Sequence, residues 1–362
     1  MSDRRGTGPG PWRVHGGLTA DARRRMEIGD GPIIDFSVNV NPYGPTPAMR
    51  AAIREAPVAS YPDDGARAAR EALARLWRVS PDEIVLGHGA ADLLWLLARL
   101  LLPAGGQALI VEPTFSEFGA AVHSLGAASV HAWRADAADD FRVDPDAVLR
   151  ALGRRRADAV YLCAPNNPTG AHVGAADVAR LADRNPGTTF VIDQAFLSLS
   201  EHFADAEAPR PPNVVWVRSL TKDHAIPGLR VGAAVMPPSL ATRLEAARPS
   251  WSTSAAAQAA AVAAAAAQAQ DFVADSRRRL LDERRALERA LAGLGCTTVP
   301  SSTIFLLAIV GDAASLTDRL LRRHRILVRD CTSFGLPGHV RLAARPASDR
   351  AALIDALRAE RA

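Results

Sequence analysis

The sequence predicts an α/β protein: a mostly parallel sheet with helices on both faces, plus a smaller α+β C-terminal domain. Three observations lead there. Between residues 83 and 236 short apolar runs alternate with helical stretches. The runs are apolar throughout, as strands buried on both faces must be. A long helical stretch then separates this region from a C-terminal part in which strands and helices are patterned differently.

The apolar runs are Ile84-Val85-Leu86, Ala108 to Val111, Ala159 to Leu162, Phe190 to Ile192, Val214 to Val217 and Gly232 to Val235. A helix is expected from Ala255 to Leu294, broken near Asp271, with an amphipathic Arg/Glu-rich second half. Beyond it, strands are expected near Ile304 to Ile309, Ile326 to Val328 and Val340 to Ala343. Helices are expected near Ser315 to Arg323 and Ser348 to Arg358. The chain divides on this reading into an N-terminal arm (1–45), a large domain (46–250) and a small C-terminal domain (251–362). At 362 residues and 48% hydrophobic, it is long enough to bury the cores of two domains.

Composition excludes several classes. The first thirty residues hold no apolar run, so no secretory h-region is expected. The most apolar window, Leu93 to Leu102, is broken by Arg99, and the Ala-rich stretch after Ser254 carries Gln258, Gln268 and Gln270. Neither suits a membrane span. Cys163, Cys296 and Cys331 are odd in number and scattered, which predicts reduced thiols in the cytoplasm, with no disulfide framework and no metal site. The net charge of +4 sits in arginine clusters (Arg23 to Arg25, Arg154 to Arg156, Arg277 to Arg279) without interleaved aromatics. These read as solvated helix faces and not as a nucleic-acid surface.

All but one of the 43 basic residues are arginine; the single lysine is Lys222. A guanidinium serves wherever plain charge suffices. Only an amine can be desolvated, deprotonated and condensed with a carbonyl, so chemistry reserved to lysine would leave this pattern.

Ligands of an open α/β sheet gather at the carboxyl ends of its strands, and several polar groups fall there. Asp193 ends the run Phe190 to Ile192, where a buried carboxylate would hold a cationic ring nitrogen, or cap a following helix. Asn167, in Ala164-Pro165-Asn166-Asn167-Pro168-Thr169-Gly170, follows another strand in what is also an ordinary turn. Gly87-His88-Gly89-Ala90-Ala91 opens a helix whose free N–H groups suit a phosphate. Ser219-Leu220-Thr221-Lys222, followed by Ile226-Pro227-Gly228-Leu229-Arg230, brings two hydroxyls, an amine and a guanidinium together. Singly these are weak; jointly they describe a site for pyridoxal 5′-phosphate, a cofactor that serves as an electron sink. Lys222 would bind the aldehyde and then move protons, with Asp193 on the ring nitrogen and Asn167 on the ring oxygen. Phe115, or alternatively Phe118, would stack on the ring. Gly89, Ala90, Ala91, Ser219, Thr221 and Arg230 would hold the phosphate.

The order of these motifs resembles the fold-type I pyridoxal-phosphate enzymes of the class I/II aminotransferase superfamily. Within them it is similar to the branch of histidinol-phosphate aminotransferase and threonine-phosphate decarboxylase, along nearly the whole chain. The resemblance implies a homodimer in which Tyr61, in Tyr61-Pro62-Asp63, reaches the cofactor phosphate of the neighbouring subunit. His15-Gly16-Gly17, the stretch Asp35 to Pro42, Ser219 to Lys222 with Ala225 to Arg230, Pro249-Ser250-Trp251-Ser252, Arg329-Asp330-Cys331 and Arg341-Leu342-Ala343-Ala344-Arg345 resemble the decarboxylase. They imply substrate contacts from His15, Asn41, Arg341 and Arg345. Four residues apart on a strand, the two arginines are expected on one face, dividing a carboxylate and a phosphate between them. The expected reaction is therefore decarboxylation of a phosphorylated amino acid, with histidinol-phosphate-type transamination and a non-catalytic cofactor-binding protein as alternatives. Departures from the family pattern fall at His88, Gln194, Asp223, His224 and Ile304; most aminotransferases carry Glu at the position of Gln194.

Overall fold

The computed structural model describes residues 15–126 and 128–360; residues 1–14 of the expected N-terminal arm lie outside the described residues. Thirteen strands are present among them. After the short β1 (Ile34–Asp35) come β2 (Ile84–Gly87), β3 (Gln107–Glu112), β4 (Ser129–Arg134), β5 (Ala159–Cys163), β6 (Thr189–Asp193), β7 (Val214–Ser219) and β8 (Gly232–Val235). These seven form one sheet in the order β2-β8-β7-β6-β5-β3-β4. Only β8 runs antiparallel to its neighbours, β2 and β7. Each of the six apolar runs is one of its strands. The seventh, β4, is an edge strand with no buried residue, so it has no apolar run by which to be read.

The period-2 alternation of strands splits the core into two layers. Ile84, Leu86, Leu109, Val160, Leu162, Phe190 and Ile192 point to one face. There they meet α3 (Arg67–Trp77), α6 (Pro145–Arg154), α7 (Ala175–Arg184) and α9 (Ala255–Ala264), through residues such as Leu73, Leu152, Leu181 and Ala260. Val85, Ile110, Tyr161, Val191 and Val217 point to the other face, covered by α4 (Ala90–Leu101), α5 (Glu117–Ser124) and α8 (Pro238–Ala246). Completing the helices are α1 (Ala20–Arg25), α2 (Pro47–Arg54), α10 (Ala267–Gly293), α11 (Ala313–His324) and α12 (Ala347–Ala359).

The expected long helix does break, but at Ala265–Ala266 between α9 and α10, not near Asp271. Gln270 accounts for the position: its Nε2 donates to the Ala264 carbonyl at 2.7 Å, satisfying an acceptor that the break frees. The C-terminal part holds β9 (Thr298–Val299), β10 (Phe305–Ile309), β11 (Ile326–Leu327), β12 (Arg329–Asp330) and β13 (His339–Ala343). An antiparallel sheet β12-β13-β10-β9 packs with α10, α11 and α12 through Leu291, Leu320 and Leu353. β1 pairs in parallel with β11, and Phe36 beside it is fully buried in this core, so the N-terminal segment is fastened to the C-terminal sheet. Among the described residues no helix is long and apolar enough to cross a membrane.

Gly232 couples the sheet to the site. A Cβ there would lie 2.8 Å from the Ala90 nitrogen and 2.9 Å from the Arg218 carbonyl oxygen, both backbone atoms that cannot swing away. Gly232→Ala should therefore cost about 1–3 kcal/mol, as overpacking does, seen as a lowered urea midpoint at constant slope. An unchanged midpoint would show that the start of α4 has slack to yield.

Candidate active site

The strands place the chemistry-bearing residues where a parallel sheet directs them. β5, β6 and β7 end at Cys163, Asp193 and Ser219, and all three line a cavity of about 590 Å³. His15, Asn41, Ala90, Ala91, Phe115, Asn167, Thr221, Lys222, Arg230, Arg341 and Arg345 line it too. Tyr61 does not: it is 78% exposed and stacks on Trp251 with ring centroids 4.4 Å apart.

One end of the cavity suits a phosphate. Gly89, with a φ of 83° that glycine adopts freely, stands just before α4, and among the described residues no side chain caps the helix. Its first N–H groups are thus free for an anion. Arg230 lies against this turn, since a Cβ on Gly89 would stand 2.8 Å from its Nη2. The hydroxyls of Ser219 and Thr221 meet at 2.6 Å beside it. His88 adds nothing here, being exposed, with its backbone N–H donating to Asp92 at 2.9 Å.

At the centre, Asp193 is buried, and its carboxylate accepts from Tyr161 Oη at 3.1 Å and from the Ala195 N–H at 2.9 Å. It caps no helix. Burial raises its pKa to about 6, against the pull of those two hydrogen bonds and of Lys222; a cationic ring nitrogen beside it would favour the anion. Lys222 is pushed the opposite way, to about 8, first by burial and then by the charges of Arg230 and Arg341. An amine so depressed is available as a free base close to neutrality. Arg341 Nη1 donates to the Asn167 side-chain oxygen, which leaves the Asn167 NH2 group as a donor. Phe115 lines the cavity, whereas Phe118 is fully buried and stacks on Tyr161 at 5.1 Å, which makes it core.

The other end is a cluster of guanidinium groups. Arg341 is buried on β13, donates to the Ser37 carbonyl at 2.5 Å, and has no partner for Nε among the described residues. Arg345 does not share its strand, because β13 stops at Ala343; it is held by Asp349 of α12 at 2.8 Å. Two residues in this region had been given no role from sequence: Arg329, quoted there only as part of the family likeness, and Glu117. Arg329 sits directly across from Arg341 in the β12–β13 register, and Glu117 accepts from Trp95 at 2.6 Å and contacts His15 at 2.7 Å. What the motif could not give is the antiparallel pairing that sets Arg329 opposite Arg341. Of the departures, Gln194, Asp223 and His224 line a different cavity, and Ile304 is buried with Phe196 and Phe305.

The sequence profile of the aminotransferase class I and II family matches residues 31–359. The chain belongs to that family. It is 33% identical over 355 residues to the histidinol-phosphate aminotransferase of Symbiobacterium thermophilum, covering 96% of this chain and 95% of that one. It is 34% identical to the corresponding enzyme of an Anaeromyxobacter species, over 87% of both. Among solved structures, histidinol-phosphate aminotransferase from Sinorhizobium meliloti in complex with pyridoxal-5′-phosphate superposes with a TM-score of 0.83 at 26% identity. That match covers 99% of this chain and 100% of that one. L-threonine-O-3-phosphate decarboxylase from Porphyromonas gingivalis gives 0.77 at 27%, over 91% and 99%.

The protein is a pyridoxal-phosphate enzyme of the fold-type I class, as its motifs led us to expect. The expectation of a decarboxylase is overturned by curated relatives that span nearly the whole chain and are histidinol-phosphate aminotransferases. The physical basis of that expectation is also weaker than supposed, because the charge of Arg345 is already met by Asp349. The residues present fit the cofactor: an amine for its aldehyde, a buried carboxylate for its ring nitrogen, and a guanidinium, two hydroxyls and a helix start for its phosphate. Asp193→Asn should keep the fold and lower kcat by on the order of 10²-fold or more, because an uncharged amide cannot balance a cationic ring in a dry site. Steady-state kinetics with near-normal kcat would show that Asp193 only braces the end of β6.

Proposed function

We propose that the protein is an aminotransferase that takes the amino group of histidinol phosphate, or of a close phosphorylated relative, and passes it to a 2-oxo acid. The observation that carries this reading is the match to histidinol-phosphate aminotransferases over nearly the full length of both chains. Pyridoxal phosphate, when bound, supplies the electron sink for the bond broken at the substrate Cα. Lys222 anchors it, and the freed Nζ then takes the Cα proton. Asp193 keeps the ring nitrogen protonated, Asn167 donates to the ring oxygen, and Phe115 covers one ring face. Ala90, Ala91, Ser219, Thr221 and Arg230 bind the cofactor phosphate.

The two half-reactions bring different anions to the same place, a phosphate ester and then a carboxylate. Arg341 and Arg329, opposed across two strands, offer forked donors that accept either. His15 and Asn41 border the substrate side; Asn41 also ties down the Lys222 segment, its N–H donating to the Lys222 carbonyl and its side chain to the Asp223 carbonyl, both at 2.9 Å. Tyr61 and Trp251, a stacked pair exposed at 78% and 50%, serve a homodimer in which Tyr61 reaches the partner subunit's cofactor site. We place the enzyme in the reducing cytoplasm, in keeping with three buried free thiols.

Two measurements test the reading. Incubated with histidinol phosphate and 2-oxoglutarate, the protein should form glutamate, and Arg341→Gln should lower kcat/KM by more than about tenfold, the effect of a buried charged hydrogen bond lost from one partner. No glutamate, with carbon dioxide released from O-phosphothreonine instead, would reject it. Lys222→Arg should stay folded yet form no borohydride-stable pyridoxyl adduct, whereas the parent protein should be labelled at that residue; an adduct elsewhere would misplace the site.

A further inference from the structure

A second cavity, of about 320 Å³, shares a single lining residue, Ser219, with the first. Its distinctive member is Arg218. Neighbours on a strand point to opposite faces, so with Ser219 turned to the cofactor cavity Arg218 is sent the other way. It is only 6% exposed, and its guanidinium carbon lies 4.9 Å from the ring centroids of both Trp77 and Trp216. Nε donates to Gln194 Oε1 and Nη2 to the Ala206 carbonyl, each at 2.9 Å, while Nη1 has no hydrogen-bond partner among the described residues.

Both acceptors are neutral dipoles. Among the described residues no carboxylate bonds to Arg218, and burial alone depresses its pKa, to about 9. A buried charge without an opposite charge is costly. The acids nearest at hand are engaged: Asp223 accepts from Ser198 Oγ at 2.9 Å and from the His224 N–H at 3.1 Å, and Glu207 meets Arg78 at 3.4 Å. Gln194, its oxygen committed to Arg218, keeps its NH2 group as a donor. Arg277, which donates to the Ser198 carbonyl at 3.1 Å, adds a second guanidinium to the wall.

We propose that this cavity is a binding site for a small carboxylate, held by Arg218 Nη1 and the Gln194 amide between the walls of Trp77 and Trp216. A monoanion balances the one uncompensated buried charge, and two oxygens on one carbon span two donors as a single spherical ion does not. The site stands behind the segment that carries Lys222, independent of which amino acid the enzyme uses.

The test is thermal unfolding of the cofactor-loaded enzyme with sodium chloride exchanged for equimolar sodium acetate. Acetate should raise Tm by about 2 °C or more over chloride. Acetate can also meet Arg341, so the decisive comparison is Gln194→Glu, which supplies the carboxylate from within and does not line the cofactor cavity. This variant should melt higher than the parent in chloride and lose the acetate response. Arg218→Met, which removes the charge, should lose the response too, and serves if Gln194→Glu does not fold. Equal stabilisation by chloride and acetate, or an undiminished acetate response in either variant, overturns the proposal.

Discussion

One guanidinium ties together three segments that wall the cavity. Arg341 rises from the C-terminal sheet, donates to the Ser37 carbonyl of the N-terminal segment, and donates to Asn167 at the end of β5 in the large sheet. It is buried, and its pKa is drawn down to about 10, chiefly by burial. A charge in such a place is tolerable only while its acceptors stay in position. The geometry of the cavity therefore depends on it twice over: it closes one wall, and it fixes which end of the Asn167 amide faces inward. Withdrawing it would leave the Ser37 carbonyl and the Asn167 oxygen without their donor and free two walls to separate.

Most of the large sheet could be read from the sequence because its central strands are buried on both faces, so each appears as an uninterrupted apolar run bounded by polar residues. Edge strand β4, Ser129-Val130-His131-Ala132-Trp133-Arg134, has no such requirement and was invisible for that reason. The helix break was misplaced for a different reason. Neither Gly nor Pro marks it, and only the reach of Gln270 to the Ala264 carbonyl reveals why the chain turns there.

The candidate cofactor residues could be placed for the same reason that the strands could: they sit at strand ends and in the tight turns that follow, so position along the chain nearly determines position in space. The arginine-lined end of the cavity obeys no such rule. Arg329, Arg341, Glu117 and His15 converge from four distant segments, and only tertiary pairing brings them near one another. Arg345 shows the hazard. Spacing of four along an assumed strand suggested a partner for Arg341, yet the strand ends between them and a helical aspartate claims the charge. Choice of reaction rests on such angles, and for that reason the relatives, not the motif, corrected it.

The lone lysine has a consequence for how the molecule meets other proteins. An endoprotease that cuts after lysine finds a single peptide bond in this chain, Lys222–Asp223, and Asp223 is buried while the Lys222 carbonyl is held by Asn41. Cleavage there requires the segment to leave its place beside β7. In the cofactor-free protein, digestion would thus give two fragments or none, and would report the opening of the one loop that carries this lysine.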